Sequence, residues 1–249
     1  RHPMPEELAQ QMPVMKEILN AMNIPIYECQ GWEADDVIGT VGKLCGAANW
    51  DCVIVTGDRD SLQLIDPHVR VKLVISKAGQ TTTTLYDEAL FREEYGFEPI
   101  KLIDLKALMG DSSDNIPGVA GVGPKTAKEL LGKFGTLDGV YAHLADPSIR
   151  PKLREKLEAG RDSAYLSYEL ATIRPEAPIA FHPEDALVRE PDKAALYELF
   201  MRLEFTRLID KYRLRDAAMA PRPKKDVPRL GGCDCLPEPG TLCAIALAP

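Results

Sequence analysis

The chain has 249 residues, 45% of them hydrophobic and 27% charged, with a formal net charge of −8 at pH 7. This is the composition of a globular protein that can bury a good core, as one large domain or two small ones. No apolar run approaches the roughly 20 residues of a membrane span and no signal peptide opens the chain, so a cytoplasmic location without a membrane partner is expected.

The N-terminus, Arg1-His2-Pro3-Met4-Pro5, lacks an initiator Met and reads as the start of a fragment, leading into a helix over residues 5–22. Leu8, Met12, Met15, Ile18, Leu19 and Met22 supply its apolar stripe. Ile24-Pro25-Ile26-Tyr27 reads as a short strand. From Glu33 a second amphipathic helix is expected, with Val37, Ile38, Val41, Leu44 and Cys45 on one face. Asp51–Thr56 reads as a buried strand, followed by a helix from Ser61 to about Ile65. Val69–Ile75 is another strand, with Thr81–Thr84 as a candidate edge strand. Strands alternating with helices predict an α/β fold, a largely parallel sheet with helices on both faces.

From Lys101 the pattern becomes helical, with helices expected at 102–109, 126–133, 136–144, 149–159 and 162–170. A last long helix is marked by Leu196, Leu199, Phe200, Leu203, Leu208 and Ile209. This divides the chain into an α/β unit at 1–100 and a helical unit at 101–212. Residues 213–249 read as a Pro-rich linker, and apolar Leu242–Ala248 as the possible opening strand of a following domain. Cys29, Cys45 and Cys52 read as reduced core thiols, while Cys233, Cys235 and Cys243 lack the further ligand a zinc site needs.

Carboxylates gather at three places: Glu33, Asp35 and Asp36; Asp58 and Asp60; Asp111 and Asp114. The first two groups fall where strands pass into helices, the rim where parallel sheets collect functional groups. Packed acids repel unless a cation joins them, and hard oxygen donors suit Mg²⁺ or Mn²⁺. Against that, Asp35 and Asp36 could serve only the helix dipole, and Asp58-Arg59-Asp60 could be a solvated turn. An Asp-x-Asp after a strand also suits a haloacid-dehalogenase phosphatase, although Ser61-Leu62 replaces the usual small continuation. Asp111 and Asp114 are spaced one helical turn apart and could face the same way.

Gly118-Val119-Ala120-Gly121-Val122-Gly123-Pro124-Lys125 has the glycine spacing of a helix-hairpin-helix turn. Its glycines let backbone N–H groups approach a phosphate, and Lys125 and Lys128 add sequence-independent attraction. A plain helical turn with surface lysines is the bland alternative. The net charge of −8 does not exclude a nucleic-acid partner, because metal ions would offset part of it and basic patches act locally.

Taken in order, Gly31-Trp-Glu-Ala-Asp-Asp-Val-Ile-Gly39, Thr56-Gly-Asp-Arg-Asp-Ser-Leu-Gln-Leu64 and Ala107-Leu-Met-Gly-Asp-Ser-Ser-Asp-Asn-Ile-Pro-Gly118 closely resemble the 5′→3′ exonuclease domain of bacterial DNA polymerase I, within the flap-endonuclease superfamily. The resemblance runs to about Tyr212 and implies a PIN-like, resolvase-like sheet followed by a helix-hairpin-helix (H3TH) subdomain. It implies two Mg²⁺ or Mn²⁺ ions, the first bound or bordered by Glu33, Asp35 and Asp36. Asp58, Asp60 and Asp111 would hold the second, supported by Asp114; Asp36, Asp58, Asp60 and Asp111 would be the catalytic set. Gly118, Gly121, Val122, Gly123, Lys125, Thr126 and Lys128 would bind DNA, with K⁺ the candidate ion at the hairpin.

The implied substrates are DNA with 5′ ends, nicks or flaps, and RNA primers, acted on by a monomer in replication and repair. The family's first strand and helical arch lie before Arg1, so little nuclease activity is expected of this fragment alone. The reading from another class is a non-catalytic helix-hairpin-helix DNA-binding module.

Overall fold

The computed structural model describes residues 4–215 and the backbone of Leu242–Ala244. Helix α1 (Glu6–Ala21) precedes α2 (Ala34–Ala47), strand β1 (Cys52–Thr56), a 3-10 turn at Asp60–Leu64, β2 (Val69–Lys77) and β3 (Gln80–Tyr86). The helical part comprises α3 (Glu88–Tyr95), α4 (Leu102–Met109), α5 (Pro124–Phe134), α6 (Leu137–Ala142), α7 (Pro151–Ala159), α8 (Arg161–Ala171), α9 (Lys193–Arg202) and α10 (Thr206–Lys211).

The sheet has the order β3-β2-β1-β4, where β4 is Leu242–Ala244. β1 runs parallel to both neighbours, and β3 is antiparallel to β2. A two-residue connection makes that hairpin: Ala78 and Gly79 have φ of 51° and 79°, the left-handed pair that matches strand twist. The Thr81–Thr84 segment thus forms an edge strand, as its β-branched composition suggests. The segment expected to open a following domain supplies the β4 ladder here.

One face of the sheet carries the core. Cys52, Ile54, Val69, Val71, Leu73 and Tyr86 are buried, at the alternate positions a strand requires. On the opposite face Val55, Lys72 and Leu85 lie side by side in register, and all three are exposed. The main core continues through Phe91, Leu105, Leu108, Val119 and Val122 into α5, α6 and α7. A separate cluster joins α1 to α9 and α10 through Ala21, Leu196, Phe200, Ile209 and Leu214. At its edge the Asp192 amide donates to the Ala21 carbonyl (2.8 Å).

Three local expectations change. Residues 24–27 form no strand, because Pro25 has no N–H for a ladder; Tyr27 instead packs edge-on against Phe181, with ring centroids 5.3 Å apart. The expected last long helix is two, α9 and α10. Glu204 takes φ 58° between them, and Phe205 N–H reaches back to the Phe200 carbonyl (2.8 Å). Asp111 and Asp114 are not on a helix, since Gly110 at φ 74° ends α4. An antiparallel bridge between Asp111 and Ile116 then closes a tight turn. Of the expected linker at 213–249, Leu214 packs into the cluster of α1, α9 and α10, and residues 216–241 and 245–249 lie outside the described residues.

Candidate metal centre

Glu33 is the N-cap of α2, which puts Asp35 and Asp36 in its first turn, where the helix dipole favours anions. The Asp36 carboxylate is already engaged. Its Oδ1 accepts from the backbone N–H of Arg174 (2.8 Å) and its Oδ2 from that of Glu33 (3.3 Å). Further bonds fix the same segment: Gln63 Nε2 donates to the Ala171 carbonyl (2.9 Å), and the Ile173 N–H donates to Gln63 Oε1 (3.0 Å). The chain leaving α8 is thereby fastened to the elements that carry the acids.

Asp58 and Asp60 follow the carboxyl end of β1. The Asp60 N–H donates to Asp58 Oδ1 (2.9 Å), the local turn an aspartate makes readily. Glu33, Asp35, Asp36, Asp58, Asp60 and Asp114 all line one cleft of about 230 Å³, walled opposite by residues 170–173. Asp111 opens with Asp60 and Asp114 into an adjoining recess of about 560 Å³. One oxygen from each of Asp60, Asp111 and Asp114 lies within 4.8 Å of the others. Acids more than fifty residues apart in sequence therefore meet at one point.

A lysine that the sequence reading passed over sits among them. Lys106 Nζ bonds Asp60 Oδ1 and lies 2.6 Å from Asp111 Oδ2; its side chain is only 6% exposed. The signal was present in the sequence: Lys106 is a charge inside the otherwise apolar run Leu105-Lys106-Ala107-Leu108 of a buried helix, and such a charge requires a partner. At Asp111, burial is outweighed by Lys106 and Ser113, which hold the carboxyl down at about 2. At Asp60 burial wins despite Lys106, and the carboxyl is raised. Asp35 is pushed up to about 6, first by burial and then by Asp58, Asp60, Glu33 and Asp36. Clustered oxygen donors with more negative charge than one ammonium offsets suit a hard divalent cation.

The hairpin after Asp114 splits into anchors and exposed parts. Gly118 is buried, its N–H donating to Ser167 Oγ (2.8 Å) and its carbonyl accepting from Ser163 Oγ (2.6 Å). Val122 is buried and its N–H is used by the Val119 carbonyl (3.0 Å). Gly121, Gly123, Lys125 and Lys128 are exposed, and Thr126 is half-buried. Gly123 caps α5 and Pro124 opens it, so the first-turn amides at Lys125 and Thr126 form an anion-attracting helix start. Within the hairpin the Gly121 carbonyl accepts from Lys156 Nζ (3.1 Å).

Oxygen donors at the carboxyl end of a strand, with a glycine hairpin beside them, define a nuclease-type α/β fold. Residues 1–96 match the family model described as the 5′-3′ exonuclease N-terminal resolvase-like domain, and residues 97–194 match the 5′-3′ exonuclease C-terminal SAM fold. The chain belongs to the 5′-3′ exonuclease family. It is 45% identical over 216 residues to the DNA polymerase I of Caldicellulosiruptor bescii, covering 87% of this chain and 25% of that protein. To the enzyme of Bacillus caldotenax it is 42% identical over 211 residues, covering 85% and 24%. The chain thus spans about a quarter of the length of these curated relatives.

Among solved structures, zinc-bound T5 5′-exonuclease aligns with TM-score 0.56 at 21% identity, over 82% of this chain and 72% of that one. The catalytic core of Rad2 in complex with DNA substrate aligns with TM-score 0.55 at 19% identity, over 80% and 65%. These two likenesses establish the shared fold. No described helix is long and apolar enough to cross a membrane.

Proposed function

We propose that this chain binds two divalent ions, Mg²⁺ or Mn²⁺, in its acidic cleft and hydrolyses phosphodiesters at DNA 5′ ends and flaps. The reading extends to the RNA of primers. The observation that carries it is the meeting of Asp60, Asp111 and Asp114 oxygens within 4.8 Å, with Asp60 and Asp114 on the cleft that Glu33, Asp35 and Asp58 share and Asp111 in the recess beside it.

Each residue has a distinct task in this reading. Glu33 and Asp35 hold one ion; Asp58, Asp60, Asp111 and Asp114 hold the other. Asp36, with its oxygens committed to backbone amides, keeps Glu33 and the 171–174 segment in place beside the first ion. The exposed hairpin from Gly121 to Lys128 grips the duplex backbone without reading bases. Bound divalent ions supply an activated water and compensation of the charge that develops on the phosphodiester. Lys106 limits the repulsion between Asp60 and Asp111 before metal arrives.

The test is calorimetric titration of Mg²⁺ and Mn²⁺ together with cleavage of an end-labelled 5′-flap duplex. Carboxylate-dependent ion binding, lost in D60N, is the result expected of this chain. A short labelled product, lost in D58A with DNA binding retained, is expected once the chain is joined to the family's first strand and arch, with little cleavage by the fragment alone. DNA binding without any carboxylate-dependent ion binding would leave only a helix-hairpin-helix binding module.

A further inference from the structure

Arg59 sits in sequence between two of the cleft carboxylates, yet its guanidinium pairs with no carboxylate among the described residues. It turns aside, and Nη1 donates to the Tyr95 hydroxyl at 3.2 Å. A phenol is a neutral acceptor, so the full positive charge of Arg59 remains available beside the acids. For a flexible cation flanked by Asp58 and Asp60 this is the less obvious place to rest, and the reason lies in Tyr95.

Tyr95 is the last residue of α3, half-buried. Its ring stacks face-to-face on that of fully buried Phe91, with centroids 4.2 Å apart and planes at 0°. The hydroxyl is therefore presented from a fixed platform. The same ring receives a second cation: Lys128 Nζ, from α5, lies 5.3 Å from its centroid, within cation–π range. Lys128 also forms no ion pair among the described residues and is exposed. One aromatic ring thus holds two un-neutralised cations, one from the metal loop and one from the helix that begins at the hairpin.

Two positive groups without a carboxylate partner among the described residues, one of them flanked by Asp58 and Asp60, lie between the cleft and the hairpin helix and call for an external anion. The planar fork of Arg matches phosphate oxygens, whereas Lys acts there as a point charge. We infer that Arg59 and Lys128 bind phosphates of the strand running from the hairpin to the metal cleft, and that Tyr95 is the positioning residue that holds both cations for it. This rests on the nuclease reading above and deepens it by tracing the path between grip and cleft.

Equilibrium binding of a fluorescent 5′-flap duplex to the full chain, with Ca²⁺ in place of Mg²⁺ and across a salt series, tests it. R59Q should weaken binding several-fold and reduce the slope of log affinity against log salt by about 1, whereas R59K keeps the slope. Y95F retains the ring and its stack on Phe91 but loses the hydroxyl. It should weaken binding less than R59Q, with an unchanged melting temperature, and the double variant should bind like R59Q alone.

Wild-type slope and affinity in R59Q, or fully additive losses in the double variant, would overturn the inference. K125Q separates the two levels. A loss there with none in R59Q removes this path and leaves the nuclease reading standing, while absence of flap binding by the unmodified chain removes both.

Discussion

Lys106 Nζ lies 2.6 Å from Asp111 Oδ2 and bonds Asp60 from the same ammonium, joining the last turn of α4 to the loop after β1. A single internal cation therefore holds together two carboxylates that we propose as ligands of one metal ion.

Replacing it, as in K106M, leaves both acids without their cation. In chelator the variant should lose on the order of 3 kcal/mol of stability, the cost of breaking a largely buried pair from one side. Divalent ions should then raise its melting temperature more than that of the unmodified protein; a hundredfold excess over Kd is worth about 2.7 kcal/mol. Denaturant melts with and without Mn²⁺ provide the check, and identical melting in chelator would show the pair to be incidental.

Asp35 gives a pH dependence with a definite sign. Its carboxyl titrates at about 6 in the folded chain, against about 4 for an ordinary aspartate. The folded state thus holds this proton more tightly than the unfolded state does. Its contribution is fully present below about 4 and is lost as pH rises to about 6. In chelator D35N should flatten that part of the stability profile, while Mg²⁺ affinity should climb over the same interval as the ion displaces the proton. A profile unchanged by D35N would contradict the assignment.

Asp36 differs from its neighbour in kind. D36A removes the acceptor for two backbone amides and should cost about 1–3 kcal/mol in folding. D36N keeps a carbonyl oxygen and should cost less. Thermal melts in chelator separate this from Asp35, whose loss should spare the fold and reduce metal binding. An unaltered melt for D36A would mean that the Arg174 and Glu33 amides find water instead.

Gly118 and Gly121 both have positive φ, 61° and 76°, but their surroundings differ. A Cβ on Gly118 would lie 2.2 Å from the Gly110 nitrogen, against backbone that cannot yield. G118A should cost about 4 kcal/mol or more. At Gly121 the nearest atom is the end of the Lys156 side chain, which can move, so G121A should cost about 1 kcal/mol from backbone conformation alone. Equal melts for the two variants would refute this contrast.

Much of the scaffold could be read beforehand because its signals are local. The stripe from Val37 to Cys45, the apolar run ending at Thr56 and the glycine spacing at 118–123 each mark an element within one short window. Pro25 misled because the apolar residues around it suggest a strand that its missing N–H prevents. The single helix expected near residue 204 failed for a related reason: Phe205 packs near Phe200, with ring centroids 6.0 Å apart, and periodicity does not report a backbone reversal made for such a contact. Lys106 was legible as an anomaly, but its partners were not.

By itself the sequence determined the family and the candidates for chemistry: a hard-oxygen donor set, a glycine hairpin with lysines behind it, and the order that marks a 5′-3′ exonuclease. Those are matters of residue type and spacing. Only the tertiary structure decided what each acid touches. Asp36 accepts from amides as far away as Arg174, Asp60 and Asp111 share Lys106, and Arg59 turns from its neighbouring acids to Tyr95. The physical reason is that a carboxylate or a guanidinium takes its role from the donors, acceptors and burial around it. For Asp36, Asp60 and Arg59 at least one deciding partner lies on a chain segment tens of residues away: Arg174, Lys106 and Tyr95.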